Sequence, residues 1–389
     1  MIGYKICTRC VMDETDPDIA FDDKGICNYC KLHDELERQN PTRPLGEQKL
    51  DKIIETIKKK GKNKKYDCII GVSGGTDSSY LLYWAIKSGL RPLAVHLDNG
   101  WDSEKGKQNI KRITEKLGVD LYIYKLDWEE FKSLQLAFLK ASTPDIEIPT
   151  DIAIRSIAYK IAAKYRIKYV INGMNFRTEG KVPIKWSYGD GKYLKYIYKH
   201  FGNGKLSRNF PQYNIPQIIY YHFIKNIKQI RPLDMIDYDK EKTKDILNKE
   251  FGWEDYGGHH YESIYTRFTQ GYYLPTKFNF DKRKIEYSAF IRTGKMNRDE
   301  ALRKLEEEPP CPVEIVKNDI QLIKKKFNLS DEEFNKIMSA PPKLFIDYPN
   351  YFSKIFKYRK IIKLIYKFIY GTTPKFLLLL DLQDQDQVK

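Results

Sequence analysis

Residues 66–79 read Tyr66-Asp67-Cys68-Ile69-Ile70-Gly71-Val72-Ser73-Gly74-Gly75-Thr76-Asp77-Ser78-Ser79. Cys68 to Val72 is a short apolar run of the kind that forms a buried parallel strand. A turn of small residues follows, and then Tyr80 to Ile86 suits a helix. Strand, glycine turn and helix together make a phosphate-binding arrangement. The glycines let backbone N–H groups approach an oxyanion, and the helix N-terminus adds a favourable dipole. Ser73, Ser78 and Ser79 can add hydroxyl donors. The loop has neither the GxxxxGK[ST] nor the GxGxxG spacing of the two commonest nucleotide loops.

Working outward, Pro92 to Asp98 reads as a second strand that ends at Asn99-Gly100. Lys111 to Leu117 reads as a helix and Leu121 to Lys125 as a third strand. Asp151 to Tyr165 is helical, with Ile154, Ile157, Ala158, Ile161 and Ala162 as its apolar positions, and Tyr169 to Ile171 is a strand running into Asn172-Gly173-Met174-Asn175. This alternation implies an α/β fold with a parallel, doubly wound sheet and ligands at the carboxyl ends of the strands. The Asn172–Asn175 loop falls at that edge. Arg155 either reaches a phosphate from its helix or stays on the surface.

Cys7-Thr8-Arg9-Cys10 and Cys27-Asn28-Tyr29-Cys30 are two CxxC pairs with 16 residues between them. The spacing is that of a structural zinc site, in which four thiolates close a tetrahedron and leave no open position. An iron–sulfur cluster or redox thiols are the other readings. His33 is a surface side chain or a spare ligand. The chain has 389 residues, 41% of them hydrophobic, which excludes bulk disorder and suggests two or three domains. Its net charge of +16 favours anionic partners, although the lysines look scattered along the chain and a Lys-rich proteome explains them equally well. The start lacks an apolar signal segment, and no stretch has the roughly 18 apolar residues of a membrane span. The expected location is the cytoplasm.

The motif SGGxDS at Ser73–Ser78 resembles the PP-loop of the ATP-pyrophosphatases, which cleave ATP to AMP and pyrophosphate. With the cysteine pairs, the whole chain resembles the N-acetyl sugar amidotransferases of the WbpG and PseA type. That resemblance rests on residues 7–13, 25–30 and 73–79 and on segments between Arg231 and Leu302, among them Gly257-Gly258-His259-His260-Tyr261-Glu262-Ser263. It implies ATP, Mg2+ and Zn2+ as cofactors. The nucleotide site would comprise Ser73, Gly74, Gly75, Thr76, Asp77, Ser78, His96, Asp98, Asn172 and Gly173, and the metal site Cys7, Cys10, Cys27 and Cys30. Ser73, Asp77 and His260 (or His259) would be catalytic. Asn175, Arg267, Lys277 and Lys282 would bind an N-acetylated anionic sugar, whose acetamido oxygen is adenylylated and then displaced by ammonia. No glutaminase nucleophile can be placed, because residue 2 is Ile2, Cys68 lies in a strand and Cys311 lies between prolines. The ammonia is therefore expected from a separate HisH-like glutaminase, with a HisF-like channel subunit.

The expected organisation is a zinc module (1–45), a PP-loop core (46–175), an aromatic and basic insert (176–230), the remainder of the catalytic region (231–310) and a mostly helical basic C-terminal region (311–389). In the insert, Trp186, Tyr188, Tyr193, Tyr196, Tyr198, Tyr213, Tyr220 and Tyr221 either stack on sugars or form a small helical core. The tail from Tyr351 to Tyr370 forms one amphipathic helix, able to pack on a domain or to touch an anionic membrane, and Gln383 to Lys389 should fray. The competing function is a tRNA-modifying PP-loop enzyme, either a thiolase or a lysidine-type synthetase.

Overall fold

The computed structural model describes residues 4–258, 260–370, 373 and 375–387. Two helices, α1 (Asn28–Gln39) and α2 (Leu45–Gly61), precede a five-stranded sheet. The sheet elements alternate as expected: β1 (Cys68–Gly71), α3 (Thr76–Lys87), β2 (Pro92–Asp98), α4 (Glu104–Leu117), β3 (Leu121–Lys125), α5 (Trp128–Lys140), α6 (Ile148–Lys164) and β4 (Tyr169–Ile171). All pairings are parallel, in the spatial order β3-β2-β1-β4 followed by β5 (Lys228–Ile230).

Side chains of a strand alternate between faces, so β1 feeds two cores. Ile69 joins α5, α6 and the helix Gly191–Phe201 on one side. Cys68 and Ile70 join α3, α4 and the helix Lys240–Phe251 on the other. This is the doubly wound arrangement, and the strand order reverses between β1 and β4. Ligands collect at such a reversal because the loops leaving the two strands diverge there.

Three expectations change. The fifth strand lies at the end of the segment expected to be an insert, and Tyr193 and Tyr198 of that segment are buried in the main core. Trp186 packs edge-on against Phe280, so Trp186, Tyr193 and Tyr198 follow the core alternative, whereas Tyr220 is exposed. The tail is two helices, Phe352–Lys357 and Arg359–Tyr370, with a break at Tyr358. A last helix, Lys375–Gln387, continues through most of the segment expected to fray. Its Leu377, Leu378, Leu379 and Leu380 bury against the four-cysteine module. No helix among the described residues is long and apolar enough to cross a membrane.

Candidate active site and four-cysteine centre

The loop after β1 turns at Gly74, whose φ of +80° is a left-handed conformation. A Cβ there would stand 2.2 Å from the Gly106 carbonyl oxygen, so the turn lies directly on the start of α4. Trp253 Nε1 and Asn109 Nδ2 donate to the Gly74 oxygen at 3.0 and 3.3 Å and fix its direction. Inside the turn, Ser73 N donates to Ser78 Oγ at 3.2 Å and Gly75 N to Ser73 Oγ at 3.3 Å. The Tyr256 hydroxyl oxygen accepts from Thr76 N at 3.2 Å, at the first residue of α3. An oxygen thus already sits where the helix N-terminus would receive a phosphate.

Asp77, one residue further on, accepts a hydrogen bond from the Tyr238 hydroxyl. From the other side of the strand reversal, Gly173 comes so close that a Cβ would lie 3.1 Å from Asp77 Cβ. The two expected loops therefore meet. Asn172 and Asn175 turn their side-chain oxygens onto their own loop, accepting from Met174 N at 3.3 Å and Arg177 N at 2.9 Å. Asp98 likewise accepts from Gly100 N at 3.1 Å. His96 is buried under the loop, with Nδ1 2.8 Å from the Val72 carbonyl and Nε2 3.1 Å from Asp102. Burial alone would lower its pKa, but Asp102 and that carbonyl reverse the sign and hold it above the ordinary value.

Glu262 enters the loop from far along the sequence. Its backbone oxygen accepts from Ser103 N at 2.7 Å, which is part of a short bridge between Asp102 and Ser263. Its carboxylate then lies 3.2 Å from Ser73 Oγ and 2.9 Å from where a Gly75 Cβ would be. His260, at φ +60°, places Nδ1 3.5 Å from the same carboxylate. Burial pulls the His260 pKa down, and the Glu262 contact outweighs it, so the net shift is upward. His259 lies outside the described residues.

Beside the loop is a cluster of charges that influence one another. Burial, reinforced by Asp77, raises Glu179 to about 7. Burial, with Asp151 and Glu147 nearby, raises Asp145 to about 8. Glu147 is also raised by burial, although Lys282 and the Thr266 hydroxyl oppose the shift. Lys181 is lowered to about 8 by burial and by the Lys375 charge. Lys282 lies near enough to influence Asp145, Glu147 and His260, whereas two other expected substrate residues are engaged elsewhere. Arg267 is bound two-pronged to the buried Asp319 at 2.6 and 2.7 Å. Lys277 caps the carbonyls of Ile337 and Met338 at the end of a helix, at 2.5 and 3.2 Å. Arg155 pairs with Asp151 on the exposed side of α6. Glu179, Lys181, Asp145 and Glu147 were not expected in this cluster. Isolated charged residues carry no spacing signal that would mark them.

The four cysteines are fully buried, and their sulfurs lie within 4.8 Å of one another. Adjacent pairs are 3.7 to 3.9 Å apart. A zinc ion with Zn–S bonds of about 2.3 Å at the centre of a tetrahedron spaces its sulfurs by about 3.8 Å. The donor set therefore fits one zinc ion. A four-iron cluster places its metal atoms between the thiolates and would hold them farther apart. Arg292 donates to Cys10 and Cys30 sulfurs at 3.2 and 3.3 Å, which offsets the negative charge of a tetrathiolate. Arg298 donates to the carbonyls of Cys7 and Cys10 at 3.0 and 3.1 Å. His33 is buried rather than on the surface, packed edge-on against Phe176 and 3.5 Å from Glu37.

Two family models match separate parts of the chain. Residues 67–176 match the queuosine biosynthesis protein QueC, and residues 262–363 match the C-terminal domain described as LPS biosynthesis protein WbpG-like. No curated protein matches the chain as a relative. Solved structures similar to it include an NMN synthetase from Francisella tularensis, 16% identical over 73% of this chain and 97% of that one, with a TM-score of 0.36. Another is the U34-tRNA thiolase NcsA from Methanococcus maripaludis with its [4Fe-4S] cluster, 13% identical over 83% and 89%, with a TM-score of 0.31. A third, from Methanocaldococcus jannaschii, is a predicted subunit of tRNA methyltransferase, 14% identical over 47% and 75%, with a TM-score of 0.28. Likenesses this slight say nothing of chemistry. The second matched region begins at Glu262, the residue that reaches back into the phosphate loop of the first, so the regions similar to QueC and to the WbpG-like domain meet at one site.

Proposed function

We propose that the chain is an ATP-dependent N-acetyl sugar amidotransferase. The observation that carries this reading is the junction at the loop. A region similar to an LPS biosynthesis protein contributes Glu262 directly to a PP-loop, and a cluster of interacting charges lies beside them. In the first step the acetamido oxygen attacks the α-phosphorus of ATP and pyrophosphate leaves. In the second, ammonia adds to the imidate carbon, AMP departs with that oxygen, and the nitrogen gives up a proton. An amide oxygen is a poor leaving group until it is adenylylated, so positioning and charge neutralisation carry the catalysis.

The amides of Gly75 and Thr76 and the hydroxyls of Ser73 and Ser78 line the place of the departing pyrophosphate. A carboxylate as close as Glu262 repels that anion unless a divalent cation offsets the charge, and Asp77 is the residue that would hold Mg2+. That ion supplies charge neutralisation. His260 is placed to take the proton of the attacking ammonia, with Glu262 stabilising the resulting imidazolium. Lys181, Lys282 and Lys375 suit an anionic sugar. One zinc ion closes the four-cysteine module, and a separate glutaminase supplies ammonia.

The test uses an N-acetyl sugar labelled with 18O in its acetyl group, ATP and ammonium. The label should appear in AMP, and the sugar should exchange one oxygen for NH. Label retained on the sugar sinks the proposal. The tRNA reading is weakened by the cysteines. Cys68 is buried in β1 with its thiol pushed up by burial, Cys311 is buried beside Tyr261, and the other four close on one another. AMP release stimulated by tRNA instead of a sugar would restore it.

A further inference from the structure

The positive charge of the chain is not evenly spread. Residues 191–233 contain eight Lys or Arg and no Asp or Glu, and residues 348–380 contain seven and none. Together they supply fifteen of the sixteen net positive charges, which leaves the remaining sequence nearly neutral. The same two stretches carry ten of the eighteen large hydrophobic side chains that stand exposed among the described residues. In the first they are Ile215, Ile219, Tyr220, Phe223 and Ile224, on the helical turns Ile215–Ile219 and Tyr220–Ile224. In the second they are Tyr358, Ile361, Leu364, Ile365 and Phe368, on and just before the helix Arg359–Tyr370.

Tertiary structure brings the two stretches together. Tyr159 of α6 stacks on Tyr213 and Tyr221 of the first, with ring centroids 5.5 and 5.8 Å away. Lys192 of the first donates to the Asn350 carbonyl of the second at 3.3 Å and lies over the Tyr351 ring, and Phe201 packs edge-on against Tyr348. Lys225 lies over the ring of Tyr220, and its carbonyl accepts from Lys168, two residues along the chain from Arg166 of the lysine-lined groove at Lys60, Lys62, Lys64 and Lys65. Phe368 is 92% exposed and Ile224 67% exposed. A monomeric protein rarely gathers such residues unless something covers them.

We propose that this face docks on an anionic lipid bilayer, with Ile224, Phe223 and Phe368 entering the interface and the surrounding lysines and arginines meeting the headgroups. The absence of any carboxylate from both stretches is the charge complementarity that selects this occupant. A nucleic acid would meet the cations but gain nothing from the aliphatic tips, and a second copy would bring like charge against like.

The test is co-sedimentation of the full chain with vesicles of phosphatidylcholine alone or with about one-fifth phosphatidylglycerol. Binding should appear only with the anionic vesicles and weaken as salt is raised. The double variant Ile224→Ser/Phe368→Ser should bind at least tenfold more weakly, with Tm unchanged because both sites are exposed. Lys360→Glu/Lys367→Glu should abolish binding. Equal binding to both vesicle types, none to either, or the same affinity in the serine variant would overturn the proposal. So would a dimer in which Phe368 is protected, or displacement of the chain from vesicles by RNA at matched charge.

Discussion

The four-cysteine centre and the charged cluster beside the phosphate loop both gather ionisable groups, yet they are built on opposite principles. In the first, every sulfur is turned inward on the other three, and Arg292 and Arg298 close the outside. Nothing is left for a substrate to meet. In the second, unlike charges lie near one another, and burial brings the pKa values of Glu179, Asp145 and Lys181 to within about a unit of pH 7. Groups held so close to titrating change state when a charged ligand arrives. A centre that satisfies itself supports the fold, and one that does not is poised for chemistry.

That contrast can be broken from either side. Ser73→Ala and Asp77→Ala should each lower ATP cleavage by about 100-fold or more, the usual cost of lost electrostatic stabilisation, while zinc content and Tm stay at wild-type values. Product analysis should give AMP and pyrophosphate. Formation of ADP would remove the loop from this chemistry.

His260→Gln should cost about 10- to 100-fold and alter the pH profile. A base must be neutral, and its pKa is held above the ordinary histidine value by Glu262 in spite of burial. Turnover at constant free ammonia should therefore fall as pH drops through that raised pKa, and the variant should lose this acidic limb. An unchanged profile would assign proton transfer elsewhere, with Glu179 the next group to test.

Cys10→Ser should act in the opposite sense. It should release the zinc and lower Tm by about 5–10 °C, because metal binding is folding free energy for so small a module. ATP turnover per folded molecule should change by less than about twofold. A large loss of turnover at full stability would make the centre part of the active site. The smallest effect should come from Arg267→Lys, which removes the two-pronged contact to Asp319. Stability should fall by about 2 kcal/mol, as for hydrogen bonds between charged groups, with KM for the acceptor sugar unaltered. A rise in KM would return Arg267 to the substrate site.

Much of this was legible because it is local. β2, β3 and β4 begin and end where the apolar runs do, and the SGGTDS turn lies between a strand and a helix as read. The helices were drawn too short at their starts. α3 begins at Thr76 and α4 at Glu104, because polar first turns carry no apolar period. Arg267 and Lys277 were misjudged for a different reason. A cation close in sequence to a histidine looks like a ligand group, and only the fold reveals the Asp319 or the helix end that occupies it.

By itself, the sequence marked four strands of the parallel sheet, the phosphate loop and the four-sulfur centre, since each leaves a local pattern: short apolar runs, a glycine turn and two CxxC pairs. Tertiary structure alone decided that Glu262 stands beside Ser73, 189 positions away in sequence, and that Asp145 lies near enough to Lys181 and Lys282 to be influenced by or to influence them. It also decided that Leu377–Leu380 cover the metal module from the far end of the chain. The physical reason is the same throughout. Periodicity and hydrogen-bonding geometry act between neighbours, whereas burial and Coulomb interaction depend only on distance in space, which the order of residues does not record.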